Sequence, residues 1–306
     1  MKSGKPFQSV LEPYAAEIKE LVQSGMSVRA LAAEIKARHD ISISHNSIAS
    51  FIRTHSLRRR SFLDGVRPEH RAELLGAIRA QWTHDSTAIE GNTLSLGDTM
   101  ILLKYGLTVN GKPLKDHQDV INHANGVDLV LRLTEKDAID EQDLFDLHKL
   151  VMASADFDIY KPIGAWKRED NGTYGVVNGK SVYMAYAPAD ETPKLMREWL
   201  KRFNCYLSRP LSEQDALDAY VKSHLEFVRI HPFFDGNGRM ARLLANLPVL
   251  RAGYPPIVVP MERRSEYIRA LWDHQHTGDS GFLASFRKLL ADSWQLTLRL
   301  VHEREN

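Results

Sequence analysis

Residues 231–242 have the sequence His231-Pro232-Phe233-Phe234-Asp235-Gly236-Asn237-Gly238-Arg239-Met240-Ala241-Arg242, or HPFFDGNGRMAR in one-letter code. An amphipathic helix precedes this stretch and must end near His231, because a proline disfavours helical geometry in the residue before it. A second helix is predicted to begin near Arg239, with Leu243, Leu244 and Leu247 on its apolar side. The stretch is therefore predicted to be a loop between two helices.

The backbone and the basic side chains of this loop suit the binding of a polyphosphate. Glycine and asparagine at 236–238 tolerate unusual dihedral angles, so that successive backbone N–H groups can converge on an anion. The N-terminus of the following helix adds unpaired N–H groups and a positive dipole. Arg239 and Arg242 are three residues apart, so they share one side of that helix and can hold further phosphate oxygens.

Two more residues of the loop bring reactive chemistry to this anion site. Asp235 is a hard oxygen ligand suited to a Mg²⁺ ion that bridges phosphates. His231 carries an imidazole whose ordinary pKa lies near neutrality, which suits a general base. The loop therefore predicts a polyphosphate site with a proton acceptor beside it.

The loop resembles the signature of Fic-domain proteins, HPFx[DE]GNGRxxR, at every specified position. The similarity extends from about Phe62 to Leu300 and includes the segment GYPPI at 253–257. The sequence contains no GxxxxGK[ST], GxGxxG, HExxH or GxSxG motif, which excludes the common alternative nucleotide and hydrolase signatures. The resemblance implies an all-α Fic-type helical bundle with a small β-hairpin flap.

The activity implied by the resemblance is transfer of AMP from ATP to a hydroxyl side chain of a target protein, or of the protein itself, with release of pyrophosphate. His231 would be the catalytic base, and Asp235 would hold Mg²⁺. The residues implied to bind the nucleotide in this loop are Asp235, Gly236, Asn237, Gly238, Arg239, Met240, Ala241 and Arg242.

The segment STAIEGN at 86–92 matches the inhibitory motif [ST]xxxE[GN] of Fic proteins that carry their inhibitor upstream of the core. The resemblance implies an inhibitory helix at about 69–90, whose Glu90 reaches Arg242 and takes the place of the γ-phosphate of ATP. A carboxylate paired with Arg242 removes a phosphate clamp and places a negative charge where ATP brings another. We therefore expect a hydrogen-bonded contact between Glu90 and Arg242.

A β-hairpin is predicted within 163–188, where Asn-Gly occurs twice and apolar and polar residues alternate. By resemblance this hairpin is the flap, at about 172–188, and it either covers the nucleotide or merely caps the core. Val182, Tyr183 and Met184 are the candidates for contacts with the nucleotide, while Tyr267 and Ile268 fall where the family packs the base. The other helices are predicted at 69–89, 95–105, 116–133, 140–152, 190–207, 213–230, 239–252, 264–275 and 280–303, and Pro248 is expected to kink the helix 239–252 near Leu244.

The N-terminal 60 residues differ from the rest in charge. They carry ten basic and five acidic side chains, whereas the whole chain has 40 Lys and Arg against 39 Asp and Glu. Helical spacing predicts three short helices, over Tyr14–Ser24, from Val28 to Ile35, and over 45–56. The pattern resembles a helix-turn-helix module with Arg58, Arg59 and Arg60 at its tip, which would bind DNA. The alternative to DNA binding is that these helices form a small cap for docking or dimerisation. We predict two domains, a helix-turn-helix-like domain at 1–60 and the Fic domain at 61–306.

The remaining composition is that of an ordinary soluble protein of 306 residues, 43% hydrophobic and 26% charged. The single cysteine, Cys205, excludes an intrachain disulfide and is predicted to be a core thiol, and His148 is predicted to be a hydrogen-bonded core histidine. No apolar run approaches the ~20 residues of a membrane span, so we expect a cytoplasmic protein that does not bind membranes. The family resemblance makes a homodimer possible.

Three alternatives to AMP transfer remain open at this stage. The same site could remove AMP from a modified protein if Glu90 orients a water molecule at the phosphodiester. The transferred group could come from UTP or GTP, because the loop contacts phosphates rather than the base. The protein could also be a DNA-binding regulator whose Fic domain only senses nucleotide.

Overall fold

The computed structural model describes residues 9–155, 161–177, 180–277 and 280–304. Within these residues the regular secondary structure is helical apart from one two-stranded sheet, as the sequence predicts. The elements are α1 (Ala15–Gln23), α2 (Val28–His39), α3 (His45–Thr54), α4 (Pro68–Ile89), α5 (Leu96–Tyr105), α6 (Leu114–Leu133), α7 (Glu141–Val151), β1 (Gly172–Val177), β2 (Lys180–Ala185), α8 (Thr192–Leu207), α9 (Glu213–Ile230), α10 (Asn237–Leu244), α11 (Asn246–Arg251), α12 (Arg264–Thr277) and α13 (Ser280–His302). Short 3₁₀ turns occur at Glu12–Tyr14 and Met261–Arg263.

Helices α1, α2 and α3 pack around a small apolar core of their own, which includes Ile18, Leu31, Ile35, Ile48 and Phe51. Serine side chains start two of these helices. The Oγ of Ser27 accepts the N–H of Ala30 at 3.2 Å, and the Oγ of Ser44 accepts that of Ser47 at 3.1 Å. The sequence predicted these three helices, although Tyr14 belongs to the preceding 3₁₀ turn and α3 ends at Thr54.

The N-terminal helices are attached to the rest of the chain through Asp137, in the loop before α7. Its carboxylate accepts the backbone N–H of Val28 at 3.2 Å and the guanidinium of Arg59 at 3.0 Å. The side chain of Arg59 is only 14% exposed. Arg59 is therefore committed to this internal contact and is not a free cation at the tip of the predicted DNA-binding module.

Helix α9 lies at the centre of the larger bundle and contacts α8, α10, α11 and α13. Its side chains are buried on most sides, because the two main apolar clusters of the bundle both include residues of α9. Tryptophans contribute to this core: Trp82, Trp199 and Trp294 are all almost fully buried.

The prediction that Cys205 is a core thiol was wrong. Its thiol lies on the exposed side of α8 and donates to the carbonyl of Lys201 at 3.2 Å.

The segment predicted as one helix over 239–252 forms two helices, α10 and α11, with Ala245 between them. The predicted kink near Leu244 is confirmed and has the expected cause, since Pro248 has no N–H to donate to the carbonyl of Leu244. Asn246 stabilises the break by donating from Nδ2 to the carbonyls of Arg242 at 3.1 Å and Ile257 at 3.0 Å. Helix α10 also begins at Asn237, two residues before the predicted start.

Strands β1 and β2 form an antiparallel hairpin in which Thr173 lies opposite Met184 and Tyr174 opposite Tyr183. The hairpin is shorter than the predicted range 163–188, because Asn171-Gly172 starts β1 instead of making a turn. The second Asn-Gly, at 178–179, lies outside the described residues. Among the helices that the structure describes, none combines the length and the apolar character needed to cross a membrane.

Candidate active site

The loop between α9 and α10 begins with an unusual backbone conformation at His231. This residue ends α9 with a φ of 52° and a ψ of 60°, in the left-handed region, and its N–H donates to the carbonyl of Phe227 at 2.9 Å. Gly236 has a φ of 77° immediately before α10. A Cβ at that position would lie 2.8 Å from the Sδ of Met152, so only glycine fits both the conformation and the space.

Asn237 holds the loop in shape. Its Oδ1 accepts the N–H of Phe233 at 3.0 Å, and its Nδ2 donates to the carbonyl of the same residue at 2.8 Å. The side chain is buried, with 2% of the residue exposed. The side chain of Asn237 is therefore used within the loop, and its backbone N–H is the group that could meet an anion; its predicted part in the backbone cradle for phosphate stays a prediction.

Arg242 is buried and fully engaged on the side facing α4. Its Nε donates to the Oγ of Ser86 at 2.9 Å, and its Nη2 donates to the carbonyl of Ser86 at 2.8 Å and to Oε1 of Glu90 at 2.7 Å. The contact predicted between Glu90 and Arg242 is therefore present. Ser86 and Glu90 are one helical turn apart, which places both on the side of α4 that meets Arg242.

The carboxylate of Glu90 also covers the start of α10. A Cβ on Gly238 would collide with Oε1 of Glu90, so this oxygen lies directly against the backbone of the glycine. Burial alone would raise the pKa of Glu90, but the charge and hydrogen bond of Arg242 outweigh it and hold the pKa below its ordinary value. The pair is asymmetric in exposure, with 4% of the Arg242 side chain and 43% of the Glu90 side chain accessible.

Arg239 differs from Arg242 because its ion pairs are long and no carboxylate lies within hydrogen-bonding distance among the described residues. Its guanidinium donates to the Sδ of Met152 at 3.3 Å, while the carboxylates of Asp119 and Asp235 both lie 3.9 Å away. Its Nε has no hydrogen-bond partner among the described residues. Among the described residues, this cation at the N-terminus of α10 therefore has only long ion pairs and an unpartnered Nε, and an anion could compete for it.

His231 presents one nitrogen to the site. Its Nδ1 lies 3.2 Å from the carbonyl of Val228, and because a carbonyl can only accept, this nitrogen carries the proton. Nε2 is then the unprotonated nitrogen. Burial lowers the pKa of His231 to about 4, so the imidazole is neutral at pH 7 and able to accept a proton. The ring of Tyr186 stacks on it, with centroids 3.6 Å apart and planes at 1°.

Four residues outside the loop support it, and three of them, Lys167, Asn171 and Tyr186, were not predicted from the sequence to do so. His148, predicted as a hydrogen-bonded core histidine, is confirmed as one, because it donates from Nε2 to the carbonyl of Asp235 at 3.1 Å and accepts the N–H of Gly164 at 2.8 Å. Lys167, Asn171 and Tyr186 also contact the loop. Their residue types occur widely outside active sites, so no motif marks them in the sequence.

The residues predicted to contact the nucleotide from the hairpin (Val182, Tyr183) and at the base (Tyr267, Ile268) differ in their exposure to solvent. Val182, Tyr183 and Ile268 are exposed, at 39%, 51% and 43%. Tyr267 is 1% exposed and lies behind Arg242, with its hydroxyl 2.9 Å from Nε2 of His224 and 3.4 Å from Nη1 of Arg242. The structure thus places Tyr267 in the core, where its ring has no free surface for a base.

Three other residues predicted to bind the nucleotide have side chains that are partly or fully buried. Met184 lies on β2 and is neither fully buried nor fully exposed. Met240 and Ala241 have buried side chains on the core side of α10, so only their backbones face the loop. The structure therefore brings His231, Asp235, the backbone of 236–238, Arg239, Arg242 and Glu90 together, and leaves the predicted base contacts at the edge of this site.

Comparison with known proteins agrees with this arrangement. Residues 138–249 match the model of the Fic/DOC family. The chain is 33% identical over 219 residues to "Protein adenylyltransferase fic-1" of Caenorhabditis elegans, a match that covers 69% of this chain and 38% of that protein. It is 32% identical over 226 residues to "Protein adenylyltransferase Fic" of Drosophila erecta, covering 72% of this chain and 41% of that protein.

Solved structures show the same fold. A Fic-domain-containing signalling protein from Bacteroides thetaiotaomicron is similar with a TM-score of 0.67 at 25% identity, over 79% of this chain and 93% of that chain. A fragment of Fic-1 from C. elegans is similar with a TM-score of 0.56 at 28% identity, over 95% of this chain and 74% of that chain.

The chain is a Fic-domain protein, with an all-α Fic bundle and a small β-hairpin. It spans less than half the length of the curated relatives that it matches.

Proposed function

We propose that the protein is an autoinhibited adenylyltransferase that transfers AMP from ATP to a hydroxyl side chain of a target protein. One observation carries the proposal: an internal carboxylate, Glu90, lies on Arg242 and against the backbone of Gly238. A site built for anions, at the N-terminus of a helix, thus holds the protein's own anion in this structure. The names of the C. elegans and Drosophila relatives support the same activity.

The chemistry follows from the positions of the loop residues. Nε2 of His231 takes the proton from the target hydroxyl as the hydroxyl oxygen attacks the α-phosphorus of ATP. A new bond forms between that oxygen and the α-phosphorus, and the bond from the α-phosphorus to the bridging oxygen of the β-phosphate breaks. Pyrophosphate leaves with the electron pair of the broken bond. Arg239, the backbone N–H groups of α10 and, once released, Arg242 stabilise the charge on the phosphates.

The loop fits a Mg²⁺ ion that arrives with the nucleotide. Mg²⁺ is held in such sites by one or two carboxylates together with phosphate oxygens and waters. Asp235 offers a carboxylate that is 68% exposed, beside the helix N-terminus. Among the described residues no cluster of three metal-ligating side chains exists. When bound, the ion would neutralise phosphate charge, and Asp235 would hold it.

The inhibition is an electrostatic competition for Arg242. In the resting state Arg242 donates to both Ser86 and Glu90, and the carboxylate of Glu90 lies where an approaching phosphate would add a second negative charge. Because Glu90 is the C-cap residue just after α4 and its side chain is partly exposed, that side chain alone can move away while Ser86 keeps its contact. ATP then gains Arg242 as a phosphate ligand.

The test is transfer of label from α-³²P-ATP to protein by the wild type and by Glu90→Gly. We expect Glu90→Gly to label itself or lysate proteins at least tenfold faster. Glu73→Gly, which introduces glycine at an exposed position of the same helix, is the matched control and should behave as the wild type. Glu90→Gly/His231→Ala should transfer label at least about 10²-fold more slowly than Glu90→Gly. No labelling by Glu90→Gly with ATP, UTP or GTP would refute the proposal.

The same assay distinguishes transfer of AMP from the alternative activity, removal of AMP from a modified protein. If the wild type strips label from a target modified by Glu90→Gly, and Glu90→Gln does not, then Glu90 serves a water molecule as well as blocking ATP. If neither removes label, Glu90 is inhibitory only.

For the N-terminal helices we propose a DNA-binding role through α3. The exposed side of α3 carries His45, Asn46, Ser50 and Arg53, and residues 41–63 contain no Asp or Glu. This surface would offer hydrogen-bonding groups to base edges without repelling phosphates. The test is a gel shift of the full chain with random duplex DNA at several salt concentrations. Binding that weakens with salt and with Arg53→Ala supports the role, and no binding at low salt refutes it.

For the possible homodimer we propose a surface on α5, α6 and the loop between them. Large apolar side chains are exposed there, at Met100, Ile101, Tyr105, Leu107, Leu114 and Ile121. Light scattering with size-exclusion chromatography should show a dimer for the wild type and a monomer for Leu114→Asp. A monomeric wild type at high concentration would refute the proposed dimer.

For the compartment we propose the cytoplasm, where the exposed thiol of Cys205 would stay reduced.

A further inference from the structure

The root of the hairpin, where the chain enters β1 and leaves β2, is fastened to the catalytic loop. Asn171, the residue before β1, donates from Nδ2 to the carbonyl of Phe233 at 3.1 Å. Its own carbonyl accepts the N–H of Tyr186, the residue after β2, at 3.0 Å. The Oδ1 of Asn171 accepts from Nζ of Lys167 at 2.7 Å. One residue thus joins both ends of the hairpin to the loop.

Lys167 contacts the backbone on both sides of His231. Its backbone N–H donates to the carbonyl of Pro232 at 2.8 Å, a bond that a side-chain substitution leaves in place. Its Nζ lies 3.3 Å from the carbonyl of Ile230, the last residue of α9, and this is the contact that depends on the side chain. The residue is 3% exposed, and the one nearby carboxylate that acts on its ammonium among the described residues, that of Asp170, does so without a direct ion pair. A buried ammonium is costly to desolvate, and the negative end of the α9 dipole partly compensates it here.

His231 needs such support because its backbone is held away from its preferred region. It has a positive φ and precedes a proline, a position that favours an extended backbone. The left-handed region is unfavourable for a non-glycine residue, because its Cβ comes too close to the following carbonyl oxygen. Without contacts on both flanking carbonyls, the backbone could relax towards the extended region, and the imidazole would swing away from the site.

Tyr186 fixes the ring itself. Its ring lies parallel to the imidazole at a centroid distance of 3.6 Å, so one side of the imidazole is covered. The hydrogen bond from Nδ1 of His231 to the carbonyl of Val228 prevents the imidazole from turning within its own plane. Together these contacts leave Nε2 as the nitrogen that can meet a substrate.

We propose that Lys167 and Tyr186 are positioning residues for the catalytic base, Lys167 by holding the carbonyls on either side of His231 and Tyr186 by fixing the plane of its ring. This inference rests on the proposed function, because it takes His231 as the base of the transfer reaction. The hairpin would then have a second role beside covering the site, since its root aligns the residue that accepts the proton.

Electrostatics supports the role of Lys167. Burial is the main cause that lowers the pKa of His231 to about 4, and the ammonium of Lys167 acts in the same direction. Burial lowers the pKa of Lys167 to about 8, so most of its population is still charged at pH 7. The charge therefore favours the neutral, proton-accepting form of His231.

The test uses paired substitutions in the Glu90→Gly protein. Lys167→Met keeps the length and removes the ammonium, whereas Lys167→Arg keeps a cationic donor. Tyr186→Leu removes the aromatic ring, whereas Tyr186→Phe keeps it. Misplacing a reacting group by about 1 Å can cost 10²-fold, so we expect Lys167→Met and Tyr186→Leu to lower kcat by at least about tenfold. Lys167→Arg and Tyr186→Phe should stay within about threefold, and Lys201→Met on the exposed side of α8 is the control.

Two further measurements separate positioning from a general loss of structure. The Kd of a non-hydrolysable ATP analogue should change by less than about threefold in all four variants, because none of the residues contacts the phosphate cradle. Titration of the His231 ring by NMR should show a higher pKa in Lys167→Met than in Lys167→Arg. This titration does not require transfer activity, so it still tests Lys167 if Glu90→Gly proves inactive and the proposed function fails.

The inference is wrong if Lys167→Met and Tyr186→Leu fold and keep kcat. It is equally wrong if kcat and analogue affinity fall in parallel, which would mean that the loop has collapsed. Should Lys167→Met not fold, the comparison of Tyr186→Leu with Tyr186→Phe decides, because a purely structural role for the ring would lower thermal stability without separating kcat from Kd.

Discussion

Replacing Glu90 with glycine should tighten the binding of ATP by an amount that the structure bounds. The Nη2 of Arg242 donates to Oε1 of Glu90 at 2.7 Å, and the two side chains are 4% and 43% exposed. Exposed ion pairs contribute about 0.2–1 kcal/mol and hydrogen bonds to charged groups about 1.5–3 kcal/mol, so a half-exposed pair should contribute roughly 1–2 kcal/mol. ATP must displace this contact, and its removal should therefore lower Kd by about 5–30-fold.

The assay is isothermal titration of ATP into proteins that also carry His231→Ala, which prevents turnover during the measurement. Glu90→Gly should bind most tightly. Glu90→Gln should lie between it and the wild-type residue, because the amide oxygen still lies near Arg242 without the charge. Glu73→Gly should bind as weakly as the parent. A change below about twofold for Glu90→Gly would show that Glu90 does not compete with the nucleotide for Arg242.

Three further predictions follow from the same contacts. In Glu90→Gly, His231→Ala should lower the transfer rate by about 10²–10⁴-fold while leaving ATP binding intact, and a variant that keeps more than half the rate would contradict its role as base. Asn237→Ala, which breaks both hydrogen bonds to Phe233, should lower the free energy of unfolding by about 1–3 kcal/mol in urea titrations, with Asn246→Ser as a comparison at another buried asparagine. Removal of residues 1–60 should leave a folded, active core. The Tm of this core should be lower than that of the full chain, because Asp137 loses its bond to Arg59. If the truncated protein is unfolded, the N-terminal helices and the core fold as one unit.

The sequence predicted the helical bundle because the helices are long and their apolar residues recur at helical spacing. Most predicted bounds differ from the structure by a few residues, and the break near Pro248 was predicted from the missing N–H of proline alone. The contact between Glu90 and Arg242 could also be predicted, since both residues lie in motifs with fixed spacing. Features of this kind depend on short stretches of chain.

The side-chain contacts that depend on distant elements could not be predicted in this way. The sequence predicted a place for the backbone of Asn237 in the phosphate cradle but did not predict that its side chain bonds to Phe233, which it does because a buried amide must satisfy both its donor and its acceptor. Arg59 was expected on DNA and bonds to Asp137, which is 78 residues away. Tyr267 was expected on the base and packs behind Arg242. In each case the residue type allowed both roles, and only the packing of helices selected one.

The packing of α4 determines how the inhibition can be released. The end of this helix is held on several sides: the Nε of Arg264 donates to the carbonyl of Ile89 at 2.6 Å, and Nδ2 of Asn92 donates to the carbonyl of Asp116 at 2.8 Å. Ser86 is buried against Arg242. Moving the whole helix would break all these contacts, at about 0.5–1.5 kcal/mol for each neutral hydrogen bond and more for those to charged groups.

Rotating the side chain of Glu90 breaks only its bond to Arg242 and exposes a carboxylate that is already 43% accessible. The rotation is therefore the cheaper route to the active state. Because the charge of Arg242 keeps the pKa of Glu90 below its ordinary value, the stabilisation from this pair is present above the unfolded pKa and is lost only as pH falls through the lower, folded value. Inhibition should thus persist across the neutral range, and release should require a competing anion or a partner that holds Glu90 aside, rather than a change of pH.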